Sequence, residues 1–471
     1  MQGLIKDLRR IVEPKRLLTE LEDRMAYAYD GTFRTRVPDL VVRPVTTAEV
    51  SGVLRLANRE GLPVVPRGGA TSLSGGAVPL QGGIVLALTS MNRILSFNRE
   101  DLLVMVEPGV VTAHLHRNVE GAGLFYPPDP QSLEASTLGG NIAENAGGPR
   151  GIKYGVTRDY ILGLEVVLPD GEIIQVGGST VKNVSGYDLT RLFTGSEGTL
   201  GVITRANLKL IPKPEARRRL LAVYDDLGAA GKTVTRIIDS GVIPSMLEIM
   251  DDTTIQVVES YGHFGLPVEA AAILILEVDG FAETVERQAS IIADLCRSAG
   301  AIRLEVARNE KEGEDLLKAR RAVSPAVLRI DPRKPTKISE DATVPRSKVP
   351  EMIVRLKEIA RRHDVTMVVY GHAGDGFLHP NIITNQDDPE EMARAEAAID
   401  EVFKLALELG GTLSGEHGIG YLKAPYLVNE FGPAGVKAMR AIKEALDPKG
   451  IMNPGKIFDQ GIGKMRAPGR G

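Results

Sequence analysis

The spacing of apolar residues along the chain predicts strands that alternate with helices. A capping pattern, Thr46-Thr47-Ala48-Glu49, precedes a helical stretch at 50–59, and the short apolar run 63–66 predicts a strand that enters a glycine-rich loop. In the second half a strand–helix–strand order occurs twice, with strands at 219–224, 243–250, 272–278 and 302–306 and helices at 227–240 and 284–298. This repetition predicts a duplicated α+β sheet.

Pro212-Lys213-Pro214 interrupts the pattern and predicts a domain boundary, because two prolines so close together end regular secondary structure. The pattern of apolar and polar residues changes again after a long helical segment that ends at Gly410-Gly411. A chain of 471 residues is long enough for several domains. We therefore expect a first domain at 1–214, a second at 215–411 and a C-terminal segment at 412–471.

The charge and cysteine content exclude several classes of function. A net charge of −4 gives no electrostatic basis for binding nucleic acid or an anionic membrane. No apolar run approaches the roughly 18 residues that cross a bilayer, so no membrane span is expected. The charged N-terminus lacks the apolar centre of a signal peptide, and the single cysteine, Cys296, excludes a disulfide framework. These features predict a cytoplasmic protein, and a homodimer is left open.

Three of the seven histidines lie near one glutamate in the C-terminal part of the chain. His372 follows an apolar run that predicts a buried strand, and the turn Gly374-Asp375-Gly376 should return His379 to its side. Glu416 and His417 occupy a second glycine-rich loop. Two imidazoles and one carboxylate are a common ligand set for zinc, manganese or iron. The pattern predicts a divalent metal at His372, His379 and Glu416, with His417 available to transfer protons near neutral pH.

Two alternatives to this interpretation are open at this point. The histidines could be structural and hydrogen-bonded within tight turns, as buried polar groups usually are. The same ligand set would also serve a metal-dependent hydrolase that uses water as its nucleophile. The glycine-rich loops in the first half discriminate against the hydrolase, because such an enzyme has no need of them.

The loop at residues 67–76 is rich in glycine and hydroxyl side chains. Its glycines let backbone amides approach a ligand closely, and its hydroxyl groups add donors, which together make an anion nest suited to a pyrophosphate. The residues concerned are Gly68, Gly69, Thr71, Ser72, Ser74, Gly75 and Gly76. Arg67 either adds charge to this nest or anchors the loop. The alternative is a wide turn between strands. No Gly-x-Gly-x-x-Gly occurs in the chain, so a dinucleotide would require a site other than a Rossmann fold.

The glycine segments together resemble the flavin-binding loops of the vanillyl-alcohol oxidase / p-cresol methylhydroxylase superfamily. The segments that carry this likeness are 67–76, 137–148, 153–159, 166–171 and 195–201. The second half is similar to one branch, the FAD-linked D-2-hydroxy acid dehydrogenases, which include glycolate oxidase catalytic subunits and D-lactate dehydrogenases. That likeness lies in 371–381, 414–420 and 447–456. The resemblance covers nearly the whole chain.

The resemblance implies an α+β fold with FAD as its cofactor. It implies a two-part FAD-binding domain of the p-cresol methylhydroxylase type, an α+β cap domain with an antiparallel sheet for the substrate, and a C-terminal helical segment that returns to the flavin. The FAD would be non-covalent, because 67–76 contains no histidine and Cys296 is remote in sequence from every flavin loop. The implied FAD contacts are Arg67, Gly68, Gly69, Ala70, Thr71, Ser72, Gly75, Gly76, Pro128, Asp129, Thr137, Gly140, Asn141, Asn145, Gly148, Tyr154, Gly155, Glu197, Gly198, Gly201, Ile203 and Asn453.

The resemblance also implies roles for residues of the second half. It matches His372, His379 and Glu416 to metal ligands, and it matches the following to the reaction itself: His417 as the base, Arg320 as the partner of the substrate carboxylate, and Ser324, Lys337 and Asn381 as further substrate contacts. Without the resemblance, Arg320 would be taken for a solvated helix charge, and Arg321 leaves the register open by one residue. Phe377 stands where close relatives have asparagine, so we expect altered hydrogen bonding or substrate size.

The predicted function is the FAD-dependent oxidation of a small D-2-hydroxy acid, such as glycolate or D-lactate, to the 2-oxo acid. The metal would lower the pKa of the substrate hydroxyl, His417 would take the proton, and hydride would leave C2 for the flavin. One cysteine cannot hold an iron–sulfur cluster, so the electrons must pass to oxygen, a quinone or another protein. The resemblance implies an iron–sulfur subunit or an electron-transfer flavoprotein. The alternatives are the hydrolase and a non-catalytic flavoprotein subunit of an oxidase complex.

Overall fold

The computed structural model describes residues 2–458, which form two compact units. The first unit comprises 2–146, 156–213 and 416–458, and the second comprises 147–155 and 214–415. Both the predicted boundary at 214 and the predicted boundary at 411 lie within a few residues of a change of unit. The segment 147–155 was not set apart by the sequence. Of the predicted C-terminal segment, residues 459–471 lie outside the described part of the chain.

The strands of the first unit form three sheets. A four-stranded sheet has the order β1-β2-β4-β3, with β2, β4 and β3 parallel, and a five-stranded antiparallel sheet has the order β5-β6-β10-β8-β9. A two-stranded sheet pairs β7 with β11. The strands are β1 (Leu17–Leu18), β2 (Leu40–Val42), β3 (Val64–Arg67), β4 (Ile84–Ala87), β5 (Ile94–Asn98), β6 (Leu103–Val106), β7 (Leu124–Phe125), β8 (Ile161–Val167), β9 (Ile173–Gly177), β10 (Val202–Lys209) and β11 (Ile211–Pro212).

The second unit is built on one eight-stranded antiparallel sheet. Its strands are β12 (Ala216–Tyr224), β13 (Met246–Asp251), β14 (Ala272–Gly280), β15 (Arg303–Val306), β16 (Thr336–Ser339), β17 (Ala342–Thr343), β18 (Thr366–His372) and β19 (Phe377–Thr384). The order is β15-β12-β14-β13-β18-β19-β16, and β17 pairs with β19. The two predicted strand–helix–strand repeats interleave as β15-β12-β14-β13, which confirms the duplicated α+β sheet.

Fourteen helices accompany these sheets within residues 2–458. They are α1 (Gln2–Ile11), α2 (Leu21–Met25), α3 (Thr47–Glu60), α4 (Thr112–Gly121), α5 (Leu138–Glu144), α6 (Gly151–Tyr154), α7 (Leu189–Phe193), α8 (Leu227–Asp239), α9 (Asp252–Gly262), α10 (Ala282–Ser298), α11 (Glu310–Val327), α12 (Val349–Arg362), α13 (Pro389–Glu408) and α14 (Leu427–Leu446). The last is interrupted at Gly432, whose φ is 66° and which precedes a proline. No described helix is both long and apolar enough to cross a membrane.

Local sequence signals explain several of these helix boundaries. The Thr46 side chain accepts a hydrogen bond from the Glu49 amide, as the capping pattern predicts, and α3 ends at Gly61 with a φ of 66°. Asp226 caps α8 in the same way by accepting from two amides. Cys296 is fully buried on α10.

Each unit has its own apolar core. In the first unit, α1 and α3 contribute Leu8 and Leu54 to a cluster that includes Leu86 of β4. In the second unit, α11 contributes Val323 to a cluster with Val368 of β18 and other buried residues of the large sheet. This second core fixes α11 against the sheet, and α11 carries the predicted carboxylate-binding arginine.

Candidate functional site

The predicted hairpin of the two histidines consists of β18 and β19. Tyr370 pairs with His379 and His372 pairs with Phe377, so these four side chains share one face of the sheet, together with Asn381 two residues along β19. The rings of His372 and His379 are 5.4 Å apart, centroid to centroid. Phe377 stacks on His372 and meets His379 edge-on at 4.5 Å. The ring of Phe377 thus holds both imidazoles in place.

The turn of this hairpin depends on Gly376. Its φ is 86°, in the left-handed region that favours glycine, and an added Cβ would lie 2.1 Å from the carbonyl oxygen of Val344. A residue with a side chain would therefore strain the turn and clash with the backbone. The turn predicted at Gly374-Asp375-Gly376 is present, and it returns His379 to the side of His372.

Three predicted metal ligands come together. Ligand atoms of His372, His379 and Glu416 all lie within 4.8 Å of one another, both imidazoles are buried, and the carboxylate is half-buried. The preceding residue, Gly415, donates its amide to Oδ2 of the buried Asp341 at 2.8 Å, which fixes the loop from which Glu416 projects. Two imidazoles and one carboxylate so close together suit a divalent transition metal with open positions.

A residue that the sequence analysis did not identify, Glu248 of β13, joins this cluster. Its Oε1 lies 2.6 Å from Nδ1 of His372, and its Oε2 accepts from Nε of Arg320 at 2.6 Å. Burial favours the neutral carboxyl, but His372 and Arg320 outweigh it and hold the pKa of Glu248 below its ordinary value. Because Nδ1 of His372 is engaged by Glu248, a metal would bind this residue through Nε2. A single glutamate among the apolar residues of β13 is the sequence signal that was missed.

Arg320 lies on the buried face of α11, whereas Arg321 points outward. Only 6% of Arg320 is exposed, and its guanidinium lies 4.8 Å from the ring centroid of Tyr370. Arg321 is exposed and pairs with Glu314. Within residues 2–458, the Arg320 side chain makes one hydrogen bond, through Nε to Glu248, which leaves both terminal nitrogens for a ligand. Of the two adjacent arginines that the sequence could not distinguish, Arg320 is therefore the buried one. It is not a solvated helix charge.

Polar groups on the same part of the second unit accompany Arg320. Lys337 of β16 donates to Oγ of Ser324 at 3.2 Å, and burial lowers the pKa of the Lys337 ammonium. Asn381 is fully buried and donates its amide nitrogen to the His379 carbonyl. Its Oδ1 is buried and has no hydrogen-bond partner among the described residues. Such an unmatched acceptor is costly unless a ligand supplies the donor.

His417 follows the third ligand directly. It is buried, and its Nε2 lies 3.8 Å from Oε1 of Glu416, a distance too long for a hydrogen bond. The predicted base is thus adjacent to a predicted ligand. Its role as a base stays a prediction.

The glycine-rich loop of the first unit packs against the segment at 135–140 with almost no space. A Cβ on Gly69 would lie 2.3 Å from the carbonyl oxygen of Ala135, and a Cβ on Gly68 would lie 2.2 Å from Oγ1 of Thr137. Arg67 donates to the carbonyl of Tyr29 at 2.6 Å, the geometry expected of a loop anchor. The glycines therefore allow two chain segments to approach, which a plain wide turn would not require.

Asn453 and Glu197 connect distant parts of the first unit. The amide nitrogen of Asn453 donates to the carbonyls of Gly76 and Glu197 at 2.9 and 2.8 Å. The Glu197 carboxylate accepts from the amides of Ile419 and Gly420, both at 2.7 Å. Among the buried oxygen atoms that have no hydrogen-bond partner within residues 2–458 are Oδ1 of Asn453, Oγ1 of Thr137 and Oε2 of Glu144. Polar atoms left unmatched beside glycine-rich loops fit a bound cofactor with hydroxyl and amide groups.

Buried charges accompany these unmatched atoms. Burial, and then the charge of Glu197, raise the pKa of Glu144 well above its ordinary value. Burial lowers the pKa of Lys456 from 10.5 to about 7, although Asp30, Glu197 and Glu144 act in the opposite direction. Nζ of Lys456 donates to the carbonyl of Val78 at 2.7 Å. Neither Glu144 nor Lys456 was identified from the sequence.

The remaining predicted FAD contacts fall into two groups. Several have structural partners in the first unit: Asn141 donates to Thr112, the Asn145 Oδ1 accepts from the Arg158 amide, and the Pro128 carbonyl lies 2.9 Å from Nε2 of His116. Others lie in the second unit instead: Gly148, Tyr154 and Gly155. Tyr154 donates its hydroxyl to Asp279 at 2.8 Å. The contacts of all these residues with FAD stay predictions.

Comparison with known proteins identifies two domain types in the chain. The profile described as "FAD binding domain" matches residues 38–187, and the profile described as "FAD linked oxidases, C-terminal domain" matches residues 213–457. The glycolate oxidase subunit GlcD of Bacillus subtilis is 49% identical over 436 residues, which cover 92% of both chains. The D-lactate dehydrogenase of Anaerostipes hadrus is 37% identical and covers 95% of both chains.

Solved structures show the same fold at low sequence identity. The structure of p-cresol methylhydroxylase with bound substrate superposes with a TM-score of 0.79 at 17% identity, and it covers 98% of this chain and 97% of its own. At this identity the similarity concerns the fold alone. Together with the profile matches and relatives, it confirms the predicted resemblance and fold class.

Proposed function

Because the chain belongs to the family of FAD-linked oxidases, we propose that it oxidises a small D-2-hydroxy acid to the 2-oxo acid. The observation that carries this proposal is the shared sheet face on which His372, His379 and Asn381 lie, tied through Glu248 to the buried Arg320. A hydroxy acid presents one anionic carboxylate and one neighbouring hydroxyl. The guanidinium of Arg320 would bind the carboxylate, and the predicted metal-ligand set would serve the hydroxyl.

FAD binding is assigned to the first unit. The predicted domain 1–214 and the predicted C-terminal segment from 412 would surround the cofactor. The loop 67–76 would receive the pyrophosphate through its backbone amides, and the unmatched oxygens of Thr137 and Asn453 would meet hydroxyl or amide groups of the cofactor. FAD supplies the two-electron redox chemistry when bound. The predicted cap domain, 215–411, would hold the substrate.

Substrate orientation is proposed to depend on three side chains. The two terminal nitrogens of Arg320 form a planar fork that matches a carboxylate, which fixes the face of C2 that is presented. Lys337 would add charge beside it, since its ammonium donates to Oγ of Ser324 in the same half-buried region. The unmatched Oδ1 of Asn381 would accept a hydrogen bond from a substrate hydroxyl.

The proton of the substrate hydroxyl is proposed to move to the imidazole of His417, which is buried and next to Glu416 in sequence. His372, His379 and Glu416 would hold a divalent cation, which supplies Lewis acidity that lowers the hydroxyl pKa. Replacement of His417 by Asn is expected to lower kcat and kcat/KM together, because the base acts in the transition state. A rise in KM alone would make His417 a binding residue instead.

The substrate is tested by anaerobic reduction of the bound flavin. Glycolate, D-lactate and D-2-hydroxyglutarate are mixed with the purified protein in turn, with L-lactate as the stereochemical control, and bleaching of the flavin absorbance is recorded. We expect at least one D-acid or glycolate to reduce the flavin within the time of a turnover, while L-lactate reacts more slowly. Reduction by none of the acids would contradict the proposed function.

The electron acceptor is proposed to be another protein, an iron–sulfur subunit or an electron-transfer flavoprotein. The chain has one cysteine, and the relative from Bacillus subtilis is named a subunit of an oxidase. The substrate-reduced protein is mixed with air-saturated buffer or with an artificial electron acceptor. Slow reoxidation by air and fast reoxidation by the acceptor are expected. Reoxidation by air at the rate of steady-state turnover would make the protein an oxidase.

Both alternative functions are less well supported. A metal-dependent hydrolase does not account for membership of an FAD-linked oxidase family or for the glycine loops of the first unit. A non-catalytic flavoprotein subunit would have no use for three metal-ligand side chains within 4.8 Å of one another beside a buried arginine.

A further inference from the structure

We propose that Glu248 is a positioning residue that joins the carboxylate-binding arginine to the metal site, so that each depends on the other. This inference rests on the proposed function. The Glu248 side chain is fully buried, and each of its two oxygens has a different partner: His372 Nδ1 and Arg320 Nε, both at 2.6 Å. Neither bond uses the atoms that would bind ligand, which are Nε2 of His372 and the two terminal nitrogens of Arg320.

A second set of contacts joins the same groups from the other side. The Arg320 guanidinium lies 4.8 Å from the ring centroid of Tyr370, and that ring lies 5.0 Å from the ring of His379. His379 and His372 are in turn 5.4 Å apart. The contacts therefore form a closed ring that runs from Glu248 through Arg320, Tyr370, His379 and His372 back to Glu248. Arg320 and His372 are thus each in contact with Glu248 on one side and with an aromatic ring of this set on the other.

Stability alone does not account for a charged residue at this position. A buried ion pair often contributes no more than well-packed apolar residues would, because the desolvation of both charges is costly. The neighbours of Glu248 in β13, Leu247 and Ile249, are apolar and buried. A glutamate is useful here because it fixes a histidine tautomer and orients an arginine fork at the same time.

The same sheet contains a matched control. Glu277 of β14 is also buried, and its Oε2 accepts from Nε of the buried Arg219 at 2.7 Å while its Oε1 accepts from Oγ of Ser245 at 2.9 Å. It thus resembles Glu248 in burial and in its arginine partner, but within the described part of the chain its side chain hydrogen-bonds to Arg219 and Ser245 and to no predicted ligand or substrate residue. A change in Zn²⁺ affinity or KM that substitutions at both positions share would come from the buried ion pair. A change that is confined to the Glu248 variant would come from the site.

The experiment compares Glu248→Gln with Glu277→Gln in the flavin-containing protein after removal of metal. Zn²⁺ affinity is measured by equilibrium dialysis, and KM and kcat are then measured with the best substrate of the hydroxy-acid panel. For Glu248→Gln we expect Zn²⁺ affinity to fall about 10–100-fold, as is typical when a partner of a metal ligand is lost. We also expect KM to rise about tenfold or more, as for the loss of a charged hydrogen bond. For Glu277→Gln both values should stay within about twofold of wild type even if the Tm falls.

Equal behaviour of the two variants in Zn²⁺ affinity and KM would overturn the inference. If Glu248→Gln does not fold, Glu248→Asp is used, because its shorter side chain keeps the charge but cannot reach both partners. Wild-type Zn²⁺ affinity and wild-type KM in Glu248→Asp would also overturn it. If no hydroxy acid reduces the wild-type flavin, the proposed function fails, but the Zn²⁺ affinities of the two variants still decide whether Glu248 positions the metal ligand.

Discussion

One of the two candidate binding regions is built mainly from backbone, and the other is built mainly from side chains. In the first unit, glycines bring backbone segments within contact distance, and bonds such as those of Asn453 to the Gly76 and Glu197 carbonyls hold the loops together. In the second unit, the candidate residues His372, His379 and Asn381 project from one face of an antiparallel sheet, and His372 and His379 lie on adjacent strands. The first region is suited to a large ligand with many polar atoms, and the second to a small one that needs exact orientation.

This difference explains why the two regions should respond differently to substitution. A loop of backbone amides loses affinity when its path is displaced, and the loss is spread over many contacts. A sheet face loses a specific chemical function when one side chain is removed, while the strands keep their register.

Removal of a proposed metal ligand tests the sheet face. His379→Ala should abolish bound metal and lower turnover by more than about 100-fold, since loss of a ligand costs more than loss of a ligand's partner. Flavin should remain bound, because His379 of β19 is not among the predicted FAD contacts. Metal content and the flavin-to-protein ratio are measured alongside the exposed His114→Ala as control. Full activity of a verified metal-free His379→Ala protein would refute the ligand assignment.

Replacement of Arg320 by Lys tests whether the planar fork matters. Lysine keeps the charge but loses the paired donors, so kcat/KM should fall about 10–100-fold, mostly through KM. Arg321→Lys is the matched control, because Arg321 is the exposed neighbour that pairs with Glu314. Steady-state kinetics at fixed metal concentration give the comparison. Equal losses in both variants would show that the fork of Arg320 does not bind the carboxylate.

A glycine substitution tests the loop region. An added Cβ at Gly69 would meet the Ala135 carbonyl at 2.3 Å, so Gly69→Ala must displace one of the two segments. Overpacking of this kind costs about 1–3 kcal/mol, and we expect FAD affinity to fall about tenfold with little change in metal affinity. Gly178→Ala is the control, because nothing lies within 4 Å of its added Cβ. Wild-type FAD affinity in Gly69→Ala would separate this loop from cofactor binding.

The pH dependence of stability tests the buried charges of the first unit. The pKa of Lys456 is about 7 in the folded protein and 10.5 ordinarily, so between these values the unfolded chain holds a proton that the folded chain lacks. Its contribution to stability is therefore fully present above about pH 10.5, and it is lost as the pH falls towards 7. The unfolding free energy should therefore rise with pH in the wild type. Lys456→Met should reduce that rise by up to about 1.4 kcal/mol per pH unit. Unfolding free energies at pH 7, 8 and 9 provide the measurement, and identical slopes in both proteins would contradict it.

Much of the fold was predictable because its signals are local. The capping pattern at Thr46–Glu49 and the apolar runs that became β12, β14 and β18 depend on residues a few positions apart. The turn at Gly376 is predictable for the same reason, and with it the approach of His379 to His372. The predicted start of β13, at residue 243, is three residues too early. Val242 and Ile243 extend the apolar run in the sequence, but the strand begins at Met246.

Residue type and short spacing were enough to predict the α+β repeat, the glycine loops and the set of histidines with one glutamate. The inward direction of Arg320 and the outward direction of Arg321 depend instead on tertiary packing, since the side of α11 that is buried is set by the sheet against which it packs. The same holds for Glu248, which lies 124 positions from His372 along the chain. Pairing of β13 with β18 brings the two together, and no short-range pattern encodes which strands become neighbours.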